Sequence, residues 1–251
     1  MTTTPTDQPR ARDADMAPDY RRPLMEVADL RKSYGPTVAL DGLDLQLHGG
    51  QIVGLLGENG CGKTTLLKVL AGLVSDYSGE VHIAGHQPGP ESKAKVSFLP
   101  DTSFLPDHAR VSYCLELYAD FFADFDREKA RDLLGFFRLQ ESMRLRDMSK
   151  GMREKVQVTL AMARQAQVFL LDEPISGVDP AAREVILQGI LRSLGEDSLL
   201  LISTHLIHDL EPLLDAVVMM RYGSVVLSGS ADDLRAERSA SLDQIFKETY
   251  S

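Results

Sequence analysis

An α/β fold is predicted for this sequence, with a mostly parallel core sheet covered on both faces and a helical insert in mid-chain. Two observations carry the expectation. Short runs of consecutive apolar residues alternate with stretches of helical periodicity, and strands without polar alternation belong to sheets buried on both sides. The strand signals then vanish between residues 103 and 148, where apolar residues recur at helical spacing instead.

Taken in order, residues 1–23 are polar, contain Pro5, Pro9, Pro18 and Pro23 and lack apolar periodicity. A flexible tail is expected there, with one folded unit over 24–251. Leu43, Leu45 and Leu47 alternate with Asp44 and Gln46 as in a half-buried strand, and Gly49-Gly50 turns the chain into the apolar run Ile52–Leu56. Buried strands of the same kind are expected at Val96–Leu99, 168–171, 199–203 and Ala216–Arg221; Tyr222-Gly223-Ser224 then signals a hairpin into 225–227. The helical insert is placed at about 103–160. Its apolar residues fall into two sets, Leu115, Tyr118, Phe121 and Phe122, then Leu133, Leu134, Phe136, Phe137 and Leu139, and packing accounts for the aromatics.

Composition narrows the function classes. With 43% hydrophobic and 25% charged residues over 251 positions, the chain is of ordinary globular make-up. Its 27 basic against 37 acidic side chains give a net charge of -10. Such a balance disfavours a protein whose main work is gripping nucleic acid, although a local anion site remains open. The apolar runs fall well short of the ~18 residues that a membrane span needs. The start Met-Thr-Thr-Thr-Pro-Thr-Asp lacks the basic and apolar regions of a secretory signal, so a cytoplasmic protein is expected. Cys61 and Cys114, and six scattered histidines, show neither disulfide nor metal-ligand spacing.

One segment carries chemistry by itself. Gly57-Glu58-Asn59-Gly60-Cys61-Gly62-Lys63-Thr64 fits G-x-x-x-x-G-K-[ST], the P-loop or Walker A pattern, between a buried strand and a helix beginning near Thr64. Glycines let successive backbone N–H groups turn inward onto phosphate oxygens, and the helix adds the positive end of its dipole. Lys63 would reach the β- and γ-phosphates, the Thr64 hydroxyl would ligate Mg²⁺, and Thr65 would contact the α-phosphate. Cys61, inside this loop, is either a tolerated small residue or a thiol activated by the loop amides. A second Mg²⁺ ligand is expected at the end of another buried strand, where Asp172 follows Val168-Phe169-Leu170-Leu171. Glu173 comes next and, aimed at the γ-phosphate, would serve as general base for the attacking water.

Met148-Ser149-Lys150-Gly151-Met152-Arg153-Glu154-Lys155, before a helix and upstream of Asp172, resembles the signature motif of ATP-binding cassette (ABC) ATPases. Other motifs similar to that family's appear in order: Tyr34 for the aromatic that stacks on adenine, Ser176-Gly177-Val178-Asp179 for the D-loop, and His205 for the switch histidine. The resemblance spans about residues 24–234. It implies a P-loop NTPase fold with an N-terminal antiparallel β subdomain and a helical signature insert. It also implies a head-to-tail dimer with a second ABC subunit, in which ATP lies between Lys63, Thr64 and Asp172 of one protomer and Ser149 and Gly151 of the other. Hydrolysis through Glu173, with His205 sensing the γ-phosphate, would reopen that dimer.

Two departures from the family pattern stand out. Asp101 occupies the place where most members carry the Q-loop glutamine; it is shorter and anionic, and would accept from Mg²⁺-bound water. Lys150 and Met152 replace a glycine and a glutamine of the signature, and Lys150 either adds charge near the partner's γ-phosphate or is a solvated lysine. These replacements, with the aromatic segment 118–125, resemble bacterial stand-alone cassettes paired with multi-span permeases, often exporters. The resemblance therefore implies an ATPase at the cytoplasmic face of the membrane, held there only by a transmembrane permease subunit. The alternative is a soluble cassette ATPase that drives macromolecular assembly or repair.

Overall fold

Alternate residues of the central strands enter two different cores, which is why those strands read as unbroken apolar runs. The computed structural model describes residues 23–250, so the tail expected over 1–23 lies outside them but for Pro23. Strands β1 (Met25–Tyr34), β2 (Thr37–Leu47) and β4 (Ser78–Ile83) form a three-stranded antiparallel sheet in the order β2-β1-β4. Strands β3 (Ile52–Leu56), β5 (Val96–Leu99), β6 (Val168–Asp172), β7 (Leu199–Thr204), β8 (Ala216–Arg221) and β9 (Ser224–Ser230) form the second sheet, in the order β5-β6-β7-β3-β8-β9. It is parallel except for β9, which returns along β8 through the expected hairpin. Val53, Leu55, Leu170, Leu201 and Val218 face the antiparallel sheet and helix α1 (Lys63–Leu70); Leu56, Phe169, Leu171, Ile202 and Val217 face the other way, into the helical side. β4 carried no expectation, because half of its length, Ser78-Gly79-Glu80, is polar and exposed.

The segment without strand signals holds α3 (Val111–Phe121), α4 (Arg127–Phe136) and α5 (Lys150–Met162), after the short α2 (Pro90–Lys93). Each longer helix starts for a local reason where a cap is present. Asp126 accepts from the Glu128 and Lys129 amides ahead of α4, and Ser149 accepts from the Met152 amide ahead of α5. Helix α6 (Pro180–Ser193) adds Asp179 as its cap and a proline in the first turn, where the missing N–H costs nothing. Tyr118 packs against Phe104, Phe122 and Phe125, and Phe137 is buried. Phe121 departs from the packing expectation: at the last turn of α3 it is 76% exposed.

Arg164, buried just beyond α5, ties this helical layer to the sheet. Its guanidinium pairs in a fork with Asp124, Nε to Oδ1 at 2.9 Å and Nη2 to Oδ2 at 3.0 Å, and Nη1 donates to the Val96 carbonyl at 2.7 Å. The planar fork also lies over the Phe122 ring, 4.1 Å from its centroid. A buried charge so fully partnered fixes one geometry between β5 and the helices. The chain closes with α7 (Ile207–Leu210), α8 (Ala231–Arg238) and α9 (Leu242–Tyr250), the last anchored by buried Leu242 and Ile245.

Candidate functional site

Strand register gathers the site. Leu56 pairs with Thr204, Asp172 with Ser203, and Leu99 with Leu171, so the segments following β3, β5, β6 and β7 leave the sheet at one edge. The carboxyl ends of parallel strands are where open α/β sheets bind ligands.

The loop 57–65 departs from β3 and runs into α1. At Gly62, with φ 110°, a Cβ would lie 2.4 Å from the Ala39 carbonyl oxygen, so only glycine lets the loop pass under β2. At Gly57 a Cβ would meet Cys61 Sγ at 2.5 Å and the Met220 carbonyl at 2.6 Å. The loop is braced from beneath. The Gly223 amide donates to the Cys61 carbonyl at 3.0 Å, and the Tyr250 hydroxyl of α9 donates to the Met220 carbonyl at 2.5 Å. Burial, with the nearby Cys61 and Glu58 adding to it, pushes the Tyr250 hydroxyl well above the usual phenol range, so it remains a donor.

Lys63, 6% exposed, folds its ammonium back onto the loop, donating to the Gly57 carbonyl at 2.7 Å and the Glu58 carbonyl at 3.0 Å. Asp172 is 1% exposed. Its Oδ1 accepts from the Ser203 hydroxyl at 2.5 Å, while Oδ2 is buried without a hydrogen-bond partner. An unpaired buried carboxylate oxygen is costly, by about 1–3 kcal/mol or more for a charged group. A hard divalent cation, which takes oxygen ligands, would relieve it. The Thr64 hydroxyl and Asp101 line the same cleft as Asp172, so the residues present fit Mg²⁺. Among the described residues no group of three His, Cys, Asp or Glu is placed to hold an ion alone. Other oxygens would have to complete the shell, which suits Mg²⁺ because it seldom sits in an all-protein cage.

Glu173 has φ 51°, a conformation that non-glycine residues seldom adopt and that clusters at functional positions. Its own amide donates to the Ser203 hydroxyl at 3.0 Å, which helps to hold that turn. Its Oε2 lies 2.9 Å from His205 Nδ1; since a carboxylate only accepts, Nδ1 carries the proton. The Ser203 hydroxyl thus orients both acidic residues at once. A polar residue at the end of the otherwise apolar run 199–202 was the available sign of it.

Asn59, Gly60, Gly62, Lys63, Thr64, Thr65, Asp101, Asp172 and Glu173 line one cleft of about 230 Å³, together with Thr37, Val38 and Ala39 of β2, which the motifs had not indicated. A cleft of about 400 Å³ beside α6 is larger but lacks this convergence of loop amides, ammonium and carboxylates. Gly57 and Cys61 form the floor instead. Cys61 is 6% exposed with its side chain turned beneath the loop, and its amide donates to the Glu58 carbonyl at 3.3 Å, a placement that favours the tolerated small residue over the activated thiol. Glu58 is exposed, and Tyr34 stands at the end of β1 outside the cleft lining.

Ser149 and Gly151 lie elsewhere, at the start of α5, where Gly151 sits close to Val178. Lys150 is exposed, as a solvated lysine would be, and it also makes a local contact. Its ammonium folds over Gly177, 2.2 Å from where a Cβ would stand, and so joins the start of α5 to the 176–179 turn of the same chain. Ser149→Ala should cost about 1 kcal/mol of stability through the lost cap, whereas Ser149→Asp, which keeps an acceptor, should not; thermal unfolding of the two variants checks this.

Residues 40–176 match the family model described as ABC transporter. The chain is 32% identical over 220 residues to a Nod factor export ATP-binding protein I of Cupriavidus pinatubonensis, covering 84% of this chain and 67% of the relative. It is 31% identical over 226 residues to a daunorubicin resistance ATP-binding protein of Streptomyces coeruleorubidus, covering 86% and 72%. A solved ATP-binding subunit of an ABC transporter superimposes with a TM-score of 0.81 at 29% identity, over 91% of this chain and all of the other.

Proposed function

This chain belongs to the ABC transporter family as an ATP-hydrolysing subunit, and from that premise we propose how its residues divide the work. The observation that carries the proposal is the convergence, at one sheet edge, of the glycine loop with Lys63, the unpaired Asp172 Oδ2, and the Glu173–His205 pair.

The loop amides of 59–65 receive the phosphates, and Lys63 exchanges its two carbonyl partners for β- and γ-phosphate oxygens. Because those carbonyls already hold the ammonium at the loop, little side-chain freedom is lost in the exchange. Thr64, Asp172 and Asp101 are the residues that would hold Mg²⁺, which would supply positive charge to offset that of the phosphates. Glu173 takes a proton from water as the water oxygen attacks the γ-phosphorus; the bond to the β–γ bridging oxygen breaks, and the electron pair leaves with ADP. His205 holds Glu173 in place through Nδ1–H, and its other ring nitrogen would donate to a γ-phosphate oxygen when the ring carries both protons.

The remaining wall is supplied by a second cassette. Ser149 and Gly151 stand at the capped start of a 13-residue helix away from the cleft of their own chain, and an N-terminal helix end attracts a phosphate. A half-site also accounts for a cleft below the ~300–1,000 Å³ usual for small-molecule pockets. Among the described residues no helix is long and apolar enough to cross a membrane. Because the relatives are named as ATP-binding proteins of export and resistance systems, we assign the path for cargo to a separate permease that would bind the cassette at the cytoplasmic face, in the groove between sheet and helical layer. Export is the direction supported, since one relative is named for Nod factor export and another for daunorubicin resistance.

The test is purification of the chain from its own cells under mild detergent, followed by ATPase assay with and without chelation of Mg²⁺. Co-purification with a polytopic membrane protein and Mg²⁺-dependent hydrolysis are expected. A purely soluble partner would turn the reading toward an assembly or repair ATPase.

A further inference from the structure

The buried face of β1 ends on a charge. Met25 and Val27 point into the core, a bulge at Asp29 (φ 46°) resets the pleat, and Leu30 and Lys32 then continue the buried side. Lysine is seldom so deeply buried unless paired, and here its side chain is 3% exposed at a position that a methionine or leucine would fill without charge. Its ammonium has two partners. Nζ lies 2.6 Å from Asp76 Oδ2 and 4.4 Å from the centroid of the Tyr34 ring. Tyr34 is two residues along the same strand, on the same face, and is 48% exposed.

A pair to a carboxylate that is itself 83% exposed contributes little on its own, so Asp76 does not by itself account for burying an ammonium here. The cation over the ring adds a directional contact that fixes where the ring stands. With Lys32 against the ring and Tyr34 still 48% exposed, the phenol keeps accessible surface on which a nucleobase could stack. Asp76 lies in the connection between α1 and β4, so the ion pair ties the ring to the segment that follows the helix whose start carries the glycine loop. The hydrogen bond from Lys32 holds the Asp76 carboxyl below its ordinary range, so this pair persists in mild acid.

We propose that Lys32, anchored by Asp76, is a positioning residue for the nucleotide base: it clamps the Tyr34 ring and presents its accessible surface to a purine. The inference rests on the reading of Tyr34 as the surface that meets adenine. Pre-ordering the ring removes a cost that binding would otherwise bear. The contribution belongs to the base alone and is absent for the phosphates.

That separation is the test. Binding of ATP and of inorganic tripolyphosphate is measured by calorimetry for the parent, Lys32→Met, Lys32→Arg, Asp76→Asn and Tyr34→Ala. Lys32→Met should weaken ATP about fivefold and leave tripolyphosphate unchanged, and Lys32→Arg should restore most of the loss. Combined with Tyr34→Ala, Lys32→Met should have no further effect on ATP. Asp76→Asn, an exposed change that spares the core, should give the same split at about twofold, and it decides the matter should Lys32→Met fold poorly. Equal loss of ATP and tripolyphosphate in the lysine variants, or parental ATP affinity in Lys32→Met and Asp76→Asn, overturns the proposal. Tyr34→Ala with undiminished ATP affinity removes the base-stacking reading itself, and Tyr34→Ala weakened beside a parental Lys32→Met removes only the clamp.

Discussion

Glu173→Gln should hydrolyse ATP about 10²–10⁴ times more slowly than the parent while still binding it. Glutamine has the length of glutamate and faces the same φ of 51°, so the change removes the basic oxygen without altering the backbone requirement. The Glu173 amide keeps its bond to the Ser203 hydroxyl in either case, which preserves the turn. The loop and Lys63 lie on another segment, and the neighbouring Asp172 keeps its own hydrogen bond from the Ser203 hydroxyl, so the binding groups are untouched. If closure of two cassettes follows from ATP binding and reopening from hydrolysis, the variant accumulates as a dimer in the presence of ATP and Mg²⁺. Size-exclusion chromatography with light scattering would show twice the monomer mass, and single-turnover kinetics would give the rate. Turnover close to the parental value would remove Glu173 from the role of base.

Lys63→Ala acts on an earlier step. The ammonium is the positive side chain at the centre of the loop, and charge-assisted bonds to phosphate are about twice as strong as neutral ones. Truncating one member of such a buried pair costs roughly 2–5 kcal/mol, so affinity for ATP should fall by ~30-fold or more. The fold should survive, because the lysine's hydrogen bonds go to two carbonyls of the same loop and not across elements. Circular dichroism with equilibrium binding of labelled ATP separates the two effects. Undiminished ATPase activity would sink the assignment of this loop as the phosphate site.

The parallel strands were legible in the sequence because burial on both faces writes a simple pattern, whereas their order and register came from the structure. Once β3, β6 and β7 align, Lys63, Asp172, Glu173 and His205 come together at one edge, a grouping that the sequence suggested only through the family resemblance. Less legible was whatever depends on a partner far along the chain. The hydroxyl of Ser203 reaches back to Asp172, Lys32 crosses to Asp76, and Arg164 finds Asp124 and the Val96 carbonyl; none of these pairs has a periodicity to announce it. Lys150 folded onto Gly177 because the 176–179 turn packs beside the start of α5, a proximity set by tertiary structure. Phe121 belonged to an apolar set by spacing yet faces outward, while Tyr118 and Phe122 beside it take the packed positions at the end of α3.

Tyr250 rests its hydroxyl on the Met220 carbonyl, directly below Gly57, and its ring stacks on Phe246 at 4.2 Å within the same helix. For anyone building variants of this protein, α9 is thus a foundation under the glycine loop. It is the wrong place to hang an affinity handle or a fluorescent fusion, because a load on that helix bears on the floor of the loop.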